Sequence, residues 1–496
     1  MSRVILFFPK YESSDAMLLP MSVLSVAAPL VKNNYEVKII DQRVDRNWKE
    51  IILNELKNNP VVFGVSALTG EQILNGLEAS KLVKENSNVS VVWGGVHASL
   101  VPKQTLENQY IDFVVIGEGE ETFLELVNAL KQKTLIENIK GVGYKKENKI
   151  FINQIRDFVD LNQLPEIPYH LIDIENYISS RSFATGNLGR SMSLYTSRGC
   201  PHRCGFCYNK KFNRGKWRGE SAEIVVGTIE KIINNYKIKS FNISDDEFFV
   251  DLNRAQKICE LIIEKNINVE IFTTCRINYV MNMNDEYLKL IYRAGFKTLA
   301  FGVESGSEKI LDLIHKDITK EQVLETIKRL KKNGINSKYY FMAGFPTETI
   351  EDLYKTTDLI YKMKEINPQI RIPAWRVFTP YPGTDLYNLA IKEGWCPPKI
   401  LEEWASYDFN TVKMPWVKGK IKKIINNVVF MISFIEIDKT RGGGIYFKLA
   451  KIFGKIVNWR WKKHLFVLMP EKYLIFLFFK IKNFYNFLKK YKAKKK

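Results

Sequence analysis

Three cysteines fall within eight consecutive positions of the 496-residue chain. Cys200, Cys204 and Cys207 form a C-x3-C-x2-C pattern. Thiolates are the ligands of iron–sulfur clusters, and three of them leave one iron of a 4Fe-4S cubane open for a substrate or cofactor. A zinc site would need a fourth ligand nearby, and within the loop only His202 offers one. The pattern therefore predicts a 4Fe-4S cluster that takes part in chemistry, with a zinc knuckle or reactive thiols as the alternative.

The other three cysteines provide no second cluster motif. Cys259, Cys275 and Cys396 are scattered, and six cysteines are too few for a disulfide framework at this length. This usage favours a reducing, intracellular setting. The apolar run at residues 4–8 stops at Pro9 and is too short for a signal peptide. We therefore expect a cytoplasmic protein.

A series of strands and helices must position the three cysteines. Strands are predicted at residues 193–197, 240–245, 270–275, 298–304, 337–345 and 371–378. Helical patterns separate them, and Thr319 with Gln322 forms a predicted capping box. Six such units at 191–405 predict a partial (β/α)6 TIM-like barrel, in which chemistry gathers at the carboxyl ends of the strands. The cysteines directly follow its first strand.

Acidic residues follow two further barrel strands. Asp245, Asp246 and Glu247 end the second strand, and Glu304 with Ser305 ends the fourth. A solvated loop is the usual place for acidic side chains. Their joint position at the active rim of the barrel nevertheless favours a ligand-binding role.

Three other strand ends carry residues suited to a cofactor site. Gly344, after the fifth strand, lets the backbone approach a ligand closely. Residues 379–384, after the sixth, contain two prolines that favour a fixed turn. Arg276 and Cys275, after the third, can face the cofactor, although Cys275 suits a buried small apolar position equally well.

The first 150 residues predict a separate Rossmann-like domain with a mostly parallel sheet. Strands at 4–8, 36–40, 61–65, 90–93 and 113–116 alternate with helices around 19–33, 71–86 and 120–132. A hairpin is predicted at 141–152 and a linker at 151–190. Loops at 66–69, 94–99 and 117–122 follow strands, where open α/β sheets bind ligands.

The cysteine motif, with Phe206 in its aromatic place, resembles that of the radical S-adenosylmethionine (radical SAM) superfamily. The resemblance implies that the open iron chelates S-adenosylmethionine (SAM), whose reductive cleavage gives a 5′-deoxyadenosyl radical that abstracts hydrogen. It also implies the following SAM contacts: Phe206, Asp245, Asp246, Glu247, Glu304, Ser305 and Gly344. No catalytic side chain is assigned.

The three N-terminal loops, in their order, resemble the cobalamin-binding domains fused to this enzyme class. The resemblance covers about residues 1–405. Within this class the chain resembles the branch of anaerobic magnesium-protoporphyrin IX monomethyl ester cyclase-like proteins, and residues 379–384 match a TPYPGT-like signature of the cobalamin-linked enzymes. It implies the following cobalamin contacts: Ser66, Thr69, Gly94, Gly95, His97, Gly117 and Glu118. The Asp-x-His-x-x-Gly motif for an axial histidine is absent, so cobalamin should bind without a protein imidazole.

The C-terminal residues 406–496 predict a basic amphipathic helical tail. Between residues 413 and 496, 22 lysines and arginines oppose three acids, which leaves +1 of the +20 net charge for the first 412 residues. Apolar and aromatic residues interleave with lysines, but no run approaches the ~20 apolar residues of a spanning helix. We favour a helix on an anionic membrane surface over a helical cap on the barrel, and an RNA site least.

The sequence therefore predicts a radical SAM enzyme with a 4Fe-4S cluster, SAM and cobalamin. Methylation, cyclisation or rearrangement of an apolar or lipid-linked substrate fits these cofactors, with flavodoxin or ferredoxin as electron donor. A peripheral position on the inner face of the membrane extends the cytoplasmic assignment. A non-enzymatic sensor tethered to the membrane is the alternative; tRNA methylthiolation is disfavoured because a second cysteine triad is absent.

Overall fold

The computed structural model describes residues 2–11, 17–147, 149–373, 375–407, 414–435, 445–470 and 472. Two seven-stranded sheets form its framework, one in the N-terminal part and one in the barrel part of the chain. Both are covered by helices and share one continuous apolar core. The predicted α/β class is therefore confirmed.

The N-terminal sheet has the order β2-β1-β3-β4-β5-β6-β7, with β1 to β5 parallel and a β6–β7 hairpin at one edge. Its strands are β1 (Arg3–Phe8), β2 (Glu36–Asp41), β3 (Val62–Ser66), β4 (Ser90–Gly94), β5 (Phe113–Val115), β6 (Val142–Lys146) and β7 (Lys149–Ile152). Strand β1 is buried on both faces, as parallel strands between helical layers must be. The chain reverses direction along the sheet between β1 and β3, which is where such sheets bind ligands.

Six helices flank this sheet. They are α1 (Met21–Lys32), α2 (Trp48–Leu56), α3 (Gln72–Asn86), α4 (Val96–Leu100), α5 (Pro102–Glu107) and α6 (Glu120–Gln132). Helices α1, α3 and α6 lie where the apolar spacing predicts them. The sequence pattern alone did not indicate α2, α4 or α5, which are short and place few residues in the core.

The second sheet has the order β16-β15-β14-β13-β12-β9-β8 and stays open, with six parallel strands and β8 antiparallel at one edge. Its strands, with the short pair β10 and β11, are β8 (Ser179–Arg181), β9 (Leu188–Leu194), β10 (Ser197–Arg198), β11 (Arg218–Gly219), β12 (Ser240–Ile243), β13 (Glu270–Thr274), β14 (Phe296–Glu304), β15 (Asn336–Ala343) and β16 (Trp375–Val377). The predicted partial barrel is confirmed.

The helices of this part follow the strands in alternation. They are α7 (Asn209–Phe212), α8 (Ala222–Tyr236), α9 (Leu252–Glu264), α10 (Ile277–Asn282), α11 (Asp285–Arg293), α12 (Glu308–Leu313), α13 (Lys320–Lys332), α14 (Ile350–Ile366) and α15 (Asp385–Lys392). Thr319 and Gln322 form the predicted capping box at the start of α13.

Two strand predictions needed larger corrections of their bounds. The first strand was predicted at 193–197, but it runs from Leu188 to Leu194, because the Thr196 amide donates to the Asp245 carboxylate instead of to a neighbouring strand. The sixth was predicted from residue 371, but regular pairing begins only at Trp375 after a single bridge at Arg371. Pro373 between them has no N–H to donate.

The described part of the tail folds as two helices, α16 (Gly419–Ile435) and α17 (Ile445–Lys462). Ile424, Val428 and Met431 of α16 are buried, and α17 packs on α14. Over these residues the tail is a helical cap on the barrel, the alternative that the sequence ranked second. Among the described residues, no helix has the length and apolarity to cross a membrane.

Two neighbouring tryptophans in α17 test the cap. Trp461 is 1% exposed and its indole N–H donates to the Thr357 carbonyl at 2.8 Å, whereas Trp459 is 56% exposed. We expect Trp461→Ala to destabilise the packing of α17 by about 3–5 kcal/mol. The matched Trp459→Ala change should stay within about 0.5 kcal/mol. Hydrogen exchange of α17 in both variants measures the difference, and equal protection would argue against the cap.

Candidate active site

The cysteine loop, residues 199–217, is closed at its base by the antiparallel pair β10 and β11, in which Arg198 faces Arg218. Gly199 opens the loop with φ +86°, and a Cβ there would clash with the carbonyl oxygen of Lys216. Only glycine combines this backbone conformation with so close a crossing of the two chain segments. The local sequence thus holds the three cysteines in one compact turn.

Asp245 holds this loop to the end of β12. Its carboxylate accepts hydrogen bonds from the Thr196 amide, the Thr196 hydroxyl and the Ser197 hydroxyl, each at 2.6 Å. Asp246 accepts from the Gly199 amide at 2.9 Å and lies beside the loop. Burial raises the pKa of Asp245, although the three donors favour its charged form. These predicted SAM contacts thus also support the loop that carries the cysteines.

Burial shields two of the three thiols from solvent. It raises the pKa of Cys200 to about 11 and that of Cys207 to about 12, and both also respond to the charge on their neighbours. Metal binding to these two thiols therefore releases protons. Within the described ranges, no three Cys, His, Asp or Glu side chains converge as the ligands of one metal ion would. The C-x3-C-x2-C loop offers the three thiolates that a 4Fe-4S cubane takes, each on a different iron.

Four buried charged side chains surround the cysteine loop. Arg276 donates from Nη1 to Cys204 Sγ at 3.1 Å, and Lys316 Nζ donates to Glu304 Oε1 at 2.9 Å. Glu247, also buried, has its pKa raised to about 8 by burial, while Arg276 and Lys316 act against that rise. Burying an ionised side chain costs roughly several kcal/mol unless a partner of opposite charge or hydrogen bonds compensate for the lost hydration.

One donor in this group has no protein partner. Among the described residues, Nε of Arg276 is buried without an acceptor. Buried cations and carboxylates side by side fit a ligand that carries both charges, such as the amino acid end of SAM. Glu304 has a left-handed backbone, φ +69°, at an irregular register of β14, a strain typical of functional sites. Here it accepts from Lys316, and its contact with SAM stays a prediction.

The remaining predicted SAM residues fall into two groups. Phe206 packs on Phe345, with ring centroids 6.1 Å apart, and Gly344 has φ +81° and donates its amide to Glu348 at 2.5 Å. Phe206 and Gly344 are therefore both adjacent to the buried Phe345. Ser305 instead is fully buried and its hydroxyl contacts Thr356 of α14, so it supports the strand end.

A cavity of about 510 Å³ lies between the two parts of the chain. One wall contains loops that follow β1, β3, β4 and β5, with the predicted cobalamin residues Ser66, Gly94, Gly95, Gly117 and Glu118. The facing wall comes from the barrel and consists of Tyr195, Thr196, Ser197, Arg198, Tyr208, Phe212, Asn213, Glu220 and Asp246. The volume is typical of cofactor sites. The carboxyl edge of the N-terminal sheet thus faces the cysteine loop.

Two predicted cobalamin residues lie outside the lining of this cavity. His97 is fully buried, and its Nδ1 contacts the Thr69 hydroxyl at 2.9 Å. Its ring packs on Trp404 at 5.6 Å, and burial lowers its pKa to about 3. The imidazole therefore points into the protein, and the implied cobalamin contacts of His97 and Thr69 stay predictions.

Ion pairs join the two walls. The Glu118 carboxylate accepts hydrogen bonds from both Nη atoms of Arg218, at 2.6 and 2.9 Å, and Arg198 pairs with Glu120 at 2.7 Å. Glu118 is thus engaged with the barrel. Sequence reasoning missed these arginines and Lys316. Their partners lie 78, 100 and 12 positions away along the chain, so no local motif could have indicated them.

Glu348 makes the site sensitive to pH. It is buried, and burial raises its pKa from 4.5 to about 8. Between these values the folded state keeps a proton that the unfolded state releases, so Glu348 lowers stability as pH rises, by up to about 1.4 kcal/mol per pH unit. We expect Glu348→Gln to gain thermal stability over the unchanged protein between pH 5 and 8. Glu351→Gln, at an exposed neighbour, is the control. If the melting temperatures of all three proteins changed with pH by the same amount, the assignment of Glu348 would be wrong.

Comparisons with known proteins agree with this geometry. Residues 194–360 match the Radical SAM superfamily and residues 13–127 match the B12 binding domain. An uncharacterized methyltransferase of Pyrococcus horikoshii is 31% identical over 398 residues, covering 78% of this chain and 83% of that protein. An anaerobic magnesium-protoporphyrin IX monomethyl ester cyclase of Rubrivivax gelatinosus is 27% identical over 403 residues, covering 78% and 69%.

The fold also matches a solved structure. The cobalamin-dependent S-adenosylmethionine radical enzyme OxsB with aqua-cobalamin bound superposes with a TM-score of 0.74 at 19% identity, over 97% of this chain and 75% of that one. The predicted enzyme class is confirmed. Solved structures of this fold hold the predicted cofactors: TsrM of Kitasatospora setae has cobalamin and a 4Fe-4S cluster bound, and OxsB has aqua-cobalamin and SAM bound. TsrM also binds a small-molecule substrate, tryptophan. The chain therefore belongs to the radical SAM superfamily, in the branch whose barrel follows a B12-binding domain.

Proposed function

We propose that the chain is a cytoplasmic, cobalamin-dependent radical SAM methyltransferase that acts on an unreactive carbon of an apolar or lipid-linked substrate. The observation that carries the proposal is the cavity of about 510 Å³, which has the cysteine loop on one wall and the predicted cobalamin loops on the other. The methyltransferase named among the relatives supports methylation over cyclisation.

The residues of the chain divide the work between them. When bound, the cluster and SAM supply a hydrogen-abstracting radical and cobalamin supplies the methyl group. Arg276 offers a positive charge for the carboxylate of SAM and Glu247 offers a carboxyl oxygen that can accept from its amino group, while Asp245 holds the cysteine loop at the cavity. Tyr208 and Phe212 give the barrel wall an aromatic surface, which supports an apolar substrate and restricts water. Flavodoxin or ferredoxin is the proposed source of the electron.

Reductive cleavage of SAM is the first test. Anaerobically purified protein, reconstituted with iron and sulfide and given reduced methyl viologen, should release 5′-deoxyadenosine from SAM. Replacing Cys200, Cys204 and Cys207 together by Ala should remove the cluster and the release, because three thiolates hold it. Ala at the scattered Cys396, which is exposed, should change neither. No release from a fully loaded wild-type protein would sink the proposed function.

Cobalamin binding is tested at Gly95. This glycine has φ +91°, and a Cβ would lie 2.7 Å from the Ala67 carbonyl oxygen, so Gly95→Ala should push two cavity loops apart. We expect a loss of cobalamin affinity of at least tenfold, measured by equilibrium dialysis. Gly227→Ala on α8, where a Cβ meets open space, is the control. His97→Ala should not change the nitrogen splitting in the electron paramagnetic resonance spectrum of bound cob(II)alamin. Loss of that splitting in the variant would refute the geometry.

A membrane contact of the tail is part of the same proposal. Trp459 and Leu468 are 56% and 75% exposed, and the exposed Lys455 and Lys463 lie on the same stretch of chain. Residues 473–496, outside the described residues, add eight lysines and no acid. Anionic lipid attracts such segments by about 1 kcal/mol per basic residue. Removing 473–496 should abolish binding to phosphatidylglycerol vesicles and preserve cluster content; retained vesicle binding would contradict the membrane contact.

A further inference from the structure

The segment that carries the cysteines has an unusual charge. Residues 198–219 contain seven lysines and arginines and no acid, although the first 412 residues together carry a net charge of only +1. Two of the seven, Arg198 and Arg218, point inward and pair with Glu118 and Glu120. The other five, called here the basic collar, are exposed: Arg203, Lys210, Lys211, Arg214 and Lys216. The positive charge is therefore concentrated at the surface around the cluster motif.

Acidic neighbours neutralise only part of the basic collar. Arg203 pairs with Asp317 and Lys210 with Asp385, each at 2.9 Å and with all four side chains at least 42% exposed. In the part of the chain that the structure describes, no acidic side chain pairs with the other three collar residues. Arg214 contacts only the Arg156 carbonyl and the Phe158 ring. Three exposed cations thus remain available to an incoming partner.

A groove of about 540 Å³ runs beside the basic collar. Its lining includes six residues of the cysteine loop: Pro201, His202, Arg203, Lys210, Lys211 and Arg214. Four acidic residues also line it, each paired with a cation outside the basic collar: Glu118, Glu120, Glu121 and Asp157. Ile155, which is 51% exposed, and Phe158 add apolar surface. Apolar and charged side chains together are typical of a protein interface.

The position of this surface suits electron entry. Pro201, an exposed groove residue, is covalently attached to Cys200, and Arg203 is attached to Cys204. A carrier seated here would contact chain neighbours of two of the three cluster cysteines. We propose that the basic collar and its groove are the docking site of an acidic flavodoxin. One electron leaves the flavin hydroquinone and reduces the cluster from its 2+ to its 1+ state, and no bond breaks in the step.

The inference rests on the proposed function, since it assumes a redox-active cluster. The holoenzyme is mixed anaerobically with a strongly acidic flavodoxin in its hydroquinone form, and cluster reduction is followed by stopped-flow absorbance. We expect Lys211→Glu/Arg214→Glu/Lys216→Glu to lower the second-order rate constant by at least about tenfold at low ionic strength, because electrostatic steering raises association rates by roughly 10–1000-fold. Rising salt should slow the wild type and not the variant.

Three comparisons keep the outcome interpretable. Lys103→Glu/Lys257→Glu/Lys289→Glu changes the net charge equally at exposed sites outside the collar and should leave the rate within twofold. The double variant Lys211→Glu/Lys216→Glu retains the contacts of Arg214 and should still slow the reduction of the cluster by flavodoxin. Reduced methyl viologen, a small cation, should reduce the cluster of every variant as fast as that of the wild type. Equal flavodoxin rates for collar and control variants, or equal losses with both reductants, would overturn the docking site. Absent SAM cleavage with methyl viologen would instead point to failure of the proposed function.

Discussion

Asp245 is the side chain on which the cysteine loop depends. A carboxylate at a buried strand end is costly unless donors surround it. Here the chain entering the loop supplies three of them, two from Thr196 and one from Ser197. These bonds end the first barrel strand early and turn the chain so that Gly199 can start the loop. The position of all three cysteines therefore follows from satisfying one buried charge.

The same requirement joins the two parts of the molecule. Arg198 and Arg218 face each other across the base of the loop, where their like charges would repel. Glu118 and Glu120 of the N-terminal part neutralise them through partly buried ion pairs, and the pair of Glu118 with Arg218 is bidentate. These ion pairs join the two walls at the edge of the cavity. Inside the barrel, Arg276 and Lys316 lie beside Glu247 and Glu304.

The tail shows that one surface pattern fits two structures. Alternating lysines and apolar residues suit a helix on a membrane, yet a cap on the barrel needs the same amphipathic spacing. Periodicity reports that a helix has an apolar face and says nothing of what covers it. In the described residues, the barrel covers it through Trp461 and its neighbours, and Trp459 on the opposite side stays in solvent.

Local pattern alone determined most strands and the longer helices, apart from several of their ends, together with the capping box at Thr319 and the cysteine motif, because each depends on residues a few positions apart. It also placed Asp245, Glu304 and Gly344 at strand ends, where the fold brings strand ends together. Only the tertiary structure decided that Asp245 and Asp246 hold the cysteine loop, that His97 turns away from the cavity, and that Arg276 reaches Cys204. Those contacts join residues 28 to 72 positions apart, and which of many possible partners a buried charge or imidazole meets is fixed only when the sheets pack.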